Sequence, residues 1–376
     1  MKLPLPPFQP EVRLARYDKL PHLFYASSAQ PLSLRELDSL HDEEVAGLLE
    51  NLEVGYAPTG GHPKLLTEIA RYYGTPITEE NVLTFPGAQT GIFSTLITLL
   101  DERDHAVIVS PCYPSLENVP AAICETTRVQ LRYDRHWRVD LDEIQDALRP
   151  NTKIIILNSP NAPTGSLINP ETQAQLVEMA RERGAWIFSD EVYRLLELDV
   201  ADRLPPIATL YERGLSLGAM SKPFGLGGLL IGWIASQSRE ILEATAQLKH
   251  YMAVCNSAVS ELHAVTALRN TETIVSQRRQ ICRENMALLD EFFQDYADLF
   301  EWVRPQGGCV GFPLLKSDLS VEDFAQQLVD GPGILVMPSS VFDFAGNFFR
   351  IGFSRTTMPR SLARFREFVD ANRESW

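Results

Sequence analysis

The chain has 376 residues, a formal net charge of −15, 45% hydrophobic residues and 22% charged residues, the proportions of an ordinary globular protein with room for a large body and a smaller one. It has no dense Lys/Arg cluster to meet a phosphate backbone and no apolar run near the ~20 residues of a membrane helix, so neither nucleic acid nor membrane is expected as a partner. Five cysteines, at 112, 124, 255, 282 and 309, form no C-x-x-C pair, and the seven histidines show no metal-ligand spacing. Reduced thiols in a cytoplasmic protein without a catalytic metal are the expectation, and the first residues lack a secretion signal's apolar core.

In chain order, apolar β-rich runs predict strands over 82–85, 106–110, 127–131, 153–158, 185–189, 215–220 and 230–235. Helical patterns fall between them at 89–100, 141–148 and 171–183. The last has Asn169 as its cap, Pro170 in its first position and Gly184 as its stop. Beyond 238 the pattern turns helical, with a long run over 273–300, short strands at 310–315, 334–336 and 348–353, and a final helix at 359–372. Strand–helix alternation predicts an α/β fold around a mostly parallel central sheet. Residues 46–255 read as the large domain, and 1–45 with 256–376 as a smaller α+β domain.

Several segments carry candidate chemistry. Tyr56 stands in a Pro-Thr-Gly-Gly turn before a helix. Gly87-Ala88-Gln89-Thr90 follows a strand and opens a helix, where free N–H groups favour an anion. Tyr113 lies at the C-terminal end of a strand, the edge at which open α/β sheets bind ligands; it could stack on a planar ring or simply pack. In Asn158-Ser159-Pro160-Asn161-Ala162-Pro163-Thr164-Gly165 the asparagines could contact a ligand or shape the loop. Asp190 ends another strand, with Tyr193 three residues on, and a buried carboxylate there requires a cation or hydrogen bonds. Ser221-Lys222 sits between two apolar runs among glycines, where desolvation would lower the lysine's pKa and leave a nucleophilic amine. Arg350, between phenylalanines and an isoleucine, requires an anion.

Together and in this order, these segments resemble the fold-type-I pyridoxal-5′-phosphate enzymes of the class I/II aminotransferase family over nearly the whole chain. The resemblance implies a homodimer with shared active sites. Lys222 would hold the cofactor as a Schiff base, with Asp190 on the ring nitrogen, Tyr193 on the ring hydroxyl and Tyr113 stacked on the ring. Gly87, Ala88, Gln89 and Ser221 would surround the phosphate, and Tyr56 would reach the phosphate of the neighbouring subunit. Arg350 would clamp the substrate α-carboxylate, with Ser27 and Ser28 nearby, and Asn161 stands beside the position of a usual ring-hydroxyl partner. Three positions depart from the family pattern: Ala162, Ala219 and Leu230 replace an asparagine, a serine and an arginine, so a looser cofactor site is expected. Transamination is the simplest reaction implied. Residues 222–233 and 249–257 also resemble the branch of capreomycidine-synthase-like enzymes, which implies elimination and ring closure on a hydroxylated arginine as the alternative. A nicotinamide dehydrogenase is disfavoured because Gly225-Leu226-Gly227-Gly228 lacks the G-x-G-x-x-G spacing.

Overall fold

The computed structural model describes residues 3–17 and 19–376; Met1, Lys2 and Asp18, assigned above to the N-terminal part of the smaller domain, lie outside the described residues. Seven strands form the central sheet: β1 (Val82–Pro86), β2 (His105–Ser110), β3 (Glu125–Gln130), β4 (Thr152–Asn158), β5 (Trp186–Asp190), β6 (Gly214–Ala219) and β7 (Ile231–Ala235). Their order is β1-β7-β6-β5-β4-β2-β3. β7 runs antiparallel to both of its neighbours, and the remaining pairs are parallel.

Most of the strands are apolar because both faces are covered, whereas the edge strand β3 is polar and fully buries only Val129. Side chains alternate between faces with period two. Ala106 and Ile108 of β2, Ile154 and Ile156 of β4, and Leu215 and Leu217 of β6 join one core. Val107, Val109, Ile155, Leu157 and Ile187 point into another. Helices close both faces, among them Ala88–Leu99 after β1 and Pro170–Arg183 before β5. The latter starts and stops as predicted: the Asn169 side chain accepts from the Thr172 N–H at 2.8 Å, and Gly184 takes a left-handed φ of 63°.

This topology places the functional edge. The six strands that share one direction all end on the same side of the sheet, and β7, running the other way, begins there. The turns after β1, β2, β4, β5 and β6 therefore converge with the turn before β7.

Beyond the sheet, the helix Arg239–Met252 is followed by Ala258–Arg269, whose Leu262 and Val265 pack with Leu65 and Ile69 of the helix Pro63–Tyr73. The long helix Thr271–Asp295 stops short of 300, because the buried Phe300 continues the apolar pattern as strand. The short strands β8 (Phe300–Glu301), β9 (Val310–Gly311), β10 (Leu314–Leu315), β11 (Met337–Pro338) and β12 (Phe349–Gly352) follow. The strand predicted over 310–315 is split, since Pro313 has no N–H to donate. The one predicted at 334–336 is reduced to a bridge between Ile334 and His22, and regular pairing begins at Met337. A helix at Pro114–Ala121 escaped the sequence reading because its two prolines look like loop; Pro114 occupies the first turn, where the missing N–H has no helical partner. Among the described residues no helix is long and apolar enough to cross a membrane. All five cysteines are free.

Candidate active site

A cavity of about 370 Å³ opens where the strand ends converge. Ten of the thirteen candidate site residues line it: Ser27, Gly87, Ala88, Gln89, Tyr113, Asp190, Tyr193, Ser221, Lys222 and Arg350.

Gly87 turns the chain out of β1 with φ 82° and caps the helix Ala88–Leu99, so the first residues of that helix face the cavity. β7 approaches this turn so closely that a Cβ on Gly232 would lie 2.6 Å from the Ala88 nitrogen. The Gln89 carbonyl oxygen accepts from Ser115 Oγ at 2.9 Å, which leaves its amide nitrogen for a ligand. This end of the cavity fits an anion.

Asp190 is buried at the end of β5, where its Oδ1 accepts from the Val192 N–H at 3.1 Å. Burial pushes its carboxyl up to about 7; the Val192 hydrogen bond and the charge of Lys222 offset this only in part. Asn158, at the end of β4, donates to the Asp190 backbone carbonyl at 2.8 Å and fixes that strand end.

Lys222 follows β6, and burial lowers its pKa. Its Nζ donates to Ser27 Oγ at 3.2 Å and lies 5.3 Å from the centre of the Tyr193 ring. The Tyr193 hydroxyl donates to the Ser27 carbonyl at 3.0 Å, and the Ala29 N–H donates to the Lys222 carbonyl at 3.0 Å. The N-terminal segment is thus laid directly across the lysine turn. Tyr113 caps the helix Pro114–Ala121, and its hydroxyl is pushed up to about 12, mainly by burial.

Arg350 enters from β12. Its Nη2 donates to the Tyr25 carbonyl at 3.3 Å, and the guanidinium carbon sits 5.2 Å from the centre of the Phe342 ring. Its Nε is buried without a partner, and burial pulls its pKa down. A buried guanidinium with an orphan donor fits a carboxylate ligand.

Three candidates do not line the cavity. Asn161 is spent on the protein: Nδ2 donates to the Pro111 carbonyl of the turn after β2 at 3.0 Å, and Oδ1 accepts from Thr164 N and Oγ1 of its own loop at 3.1 and 2.7 Å. Ser28 turns the other way and accepts from Arg355 Nη2 at 2.8 Å. Tyr56 is 89% exposed on the surface. Of the three replaced positions, Ala162 and Leu230 line the cavity, whereas Ala219 lies buried in the core.

The sequence reading missed Glu11, on the helix Gln9–Tyr17, and Phe342, and left Asn158 open between ligand contact and loop shaping; all three line the cavity. Asn158 carried the same strand-end signal as Asp190. Glu11, in a proline-rich N-terminal stretch, carried none.

The family model for aminotransferase class I and II matches residues 48–365. Capreomycidine synthase of Streptomyces vinaceus is 26% identical over 289 residues, 76% of this chain and 74% of that protein. An aspartate aminotransferase of Pyrococcus horikoshii is 26% identical over 299 residues, 77% and 76% of the two chains. Among solved structures, a PLP-dependent aminotransferase from Streptococcus suis superposes with a TM-score of 0.91 at 28% identity, covering 99% of both chains. A PLP-dependent cyclase superposes with a TM-score of 0.89 at 26% identity, covering 98% of this chain and 97% of its own.

Proposed function

Because the chain belongs to the class I and II aminotransferases and its cofactor is pyridoxal 5′-phosphate, we propose that it acts on the α-amino group of an amino acid by transamination. The carrying observation is the opposed pair in one buried cavity: a carboxyl raised to about 7 at Asp190 and a lysine with lowered pKa at Lys222, beside an orphaned guanidinium donor at Arg350. When bound, the cofactor draws off the electrons left on the substrate's Cα as its proton departs.

Lys222 would hold the cofactor, and its Nζ would take the substrate's Cα proton; desolvation keeps that amine free to accept it. Ser27 holds Nζ from one side and the Tyr193 ring flanks it from another. Asp190 would hold the protonated ring nitrogen, a cation its buried carboxylate lacks. Tyr113 would hold the ring, and the Gly87–Gln89 turn with Ser221 would hold the phosphate. Arg350 would take the α-carboxylate and so orient the substrate's Cα. Asn161 and Ser28 act on the site by shaping the loops that carry its lining.

The test is visible absorbance on adding single amino acids without a keto acid. Transamination converts the cofactor to its aminated form with one keto acid released per site. If the original band returns while substrate turns over, transamination is ruled out.

Glu11 favours a second reading, elimination and ring closure on a hydroxylated arginine. Its carboxylate shares the cavity with Arg350 and offers a counter-charge to a cationic side chain. Similarity to capreomycidine synthase and to a PLP-dependent cyclase supports it. For this reading Glu11→Gln raises KM for arginine-type substrates at least about tenfold and leaves KM for neutral ones unchanged; an equal effect on both removes the support.

We also propose a homodimer, with 46–255 as the cofactor-binding body and 1–45 with 256–376 as the smaller one, in the cytoplasm. Exposed Val54, Tyr56, Leu230, Tyr251 and Val254 give the apolar surface that a dimer would cover. The His22–Ile334 bridge supports joining the N-terminal segment to the C-terminal part.

A further inference from the structure

Away from the cavity, Asp38, His41 and His263 bring one ligand atom each within 4.8 Å of one another. Asp38 ends the short helix Leu34–Asp38, His41 follows in the next turn, and His263 projects from the helix Ala258–Arg269. His263 Nδ1 lies 2.7 Å from the Val259 carbonyl, which can only accept, so Nδ1 carries a proton. Its Nε2 faces Asp38 Oδ1 at 3.1 Å, and a carboxylate oxygen also accepts. A neutral imidazole has one N–H and cannot satisfy both. With the exposed Asp38 ionised, either the ring holds two protons or a cation stands at Nε2. His41 bears on the choice: its Nε2 is buried without a hydrogen-bond partner and points at the same Asp38 oxygen from 3.6 Å. An imidazolium at His263 leaves that atom orphaned, whereas a metal ion uses it.

We propose that these three side chains form a site for a zinc-class divalent ion, with the fourth position open to water through the exposed Asp38. Adjacent ligands of a tetrahedral zinc with bonds of about 2.1 Å stand roughly 3.4 Å apart, and the two distances to Asp38, 3.1 and 3.6 Å, bracket that value. The Val259 carbonyl fixes the tautomer that presents Nε2 to the metal, as a hydrogen bond to the far ring nitrogen commonly does. The ion would tie the segment after Leu34–Asp38 to the helix that also carries Glu261, whose carboxylate accepts from the His62 N–H at 2.8 Å and from Thr84 Oγ1 at 3.1 Å beneath the Tyr56 turn.

The experiment uses the untagged, cofactor-loaded full chain, stripped with a chelator and given zinc alone or magnesium alone. The expected result is one zinc per chain retained through gel filtration, no magnesium, and affinity at least about tenfold weaker in Asp38→Asn and His41→Gln. Unchanged cofactor absorbance in both variants shows that they fold. Failure of the wild type to retain zinc, or retention by both variants at the wild-type level, overturns the proposal. So does a histidine nitrogen NMR spectrum at pH 7 in which His263 is an imidazolium before and after zinc is added.

Discussion

Replacing Asp190 by Asn should strengthen the cofactor-free protein while disabling the enzyme. In the folded chain the carboxyl titrates near 7, against 3.8 for an unperturbed aspartate. Between those values the folded state keeps a proton that the unfolded state has lost, so stability falls as pH rises through that window. At 1.36 kcal/mol per pKa unit, the penalty at pH 8 is about 4 kcal/mol, and it shrinks below about 2 kcal/mol at pH 5. Asparagine keeps the oxygen that accepts from the Val192 N–H at 3.1 Å and carries no charge. Urea denaturation of the cofactor-free protein should therefore show the variant more stable by up to about 4 kcal/mol at pH 8, with the gap closing toward acid. On the proposed role of Asp190, turnover should drop by about 10³-fold, because the ring nitrogen would lose its ionic partner. A variant no more stable than wild type at pH 8, or a gap that does not change with pH, would show that burial is not what raises this carboxyl.

Lys222→Ala should abolish the bound cofactor's visible band and lower turnover by at least about 10³-fold, with the unfolding midpoint of the cofactor-free protein unchanged or raised; retained activity excludes Lys222 as the base. Leu230→Arg should tighten cofactor binding about ten- to a hundredfold in equilibrium dialysis, restoring a charge-assisted bond of ~1.5–3 kcal/mol; unchanged affinity means that Leu230 stands too far from the phosphate. Burial brings Lys249 down to about 8 from 10.5, while its ammonium meets the Thr59 carbonyl. The unfolded state binds more protons between those values, so this residue makes stability rise with pH across them. Lys249→Met should remove that rise, read as denaturation midpoints at pH 8 and 10. Arg350→Lys should raise KM for amino acids at least about tenfold, since an ammonium cannot reproduce the planar fork; an unchanged KM places the α-carboxylate elsewhere.

The parallel sheet was legible because most of its strands are short apolar runs bounded by turn residues, the polar edge strand β3 being the exception. Gly87, Tyr113, Asp190 and Lys222 were legible because such a sheet delivers its strand ends to one edge. Ser27 and Arg350 came from the resemblance and from a charge among aromatics, and the cavity includes both. What stayed hidden depends on contacts across the chain. Nothing local shows that Asn161 spends its amide on Pro111, or that Ser28 faces Arg355 while Ser27 faces Lys222. Glu11 reaches the cavity only because its helix folds back over the sheet edge. The histidines at 41 and 263 show no ligand spacing because their neighbourhood is made by packing the helix Ala258–Arg269 against the N-terminal segment.

The pairing of β1 with β7 has a consequence for how the enzyme is made. Among the described residues β1 has only β7 for a neighbour, and Val82 is held opposite Ala235. While the ribosome is still producing the middle of the chain, the Gly87 turn has no strand to fix it. Lys222 is made shortly before β7, on which the anion-binding end of the cavity waits, and Arg350 comes later still. A nascent chain therefore cannot offer the cofactor the finished turn after β1 before residue 235 has been made, and cannot offer a substrate the Arg350 guanidinium until later. Cofactor that arrives before β7 meets a sheet still lacking its β1 edge.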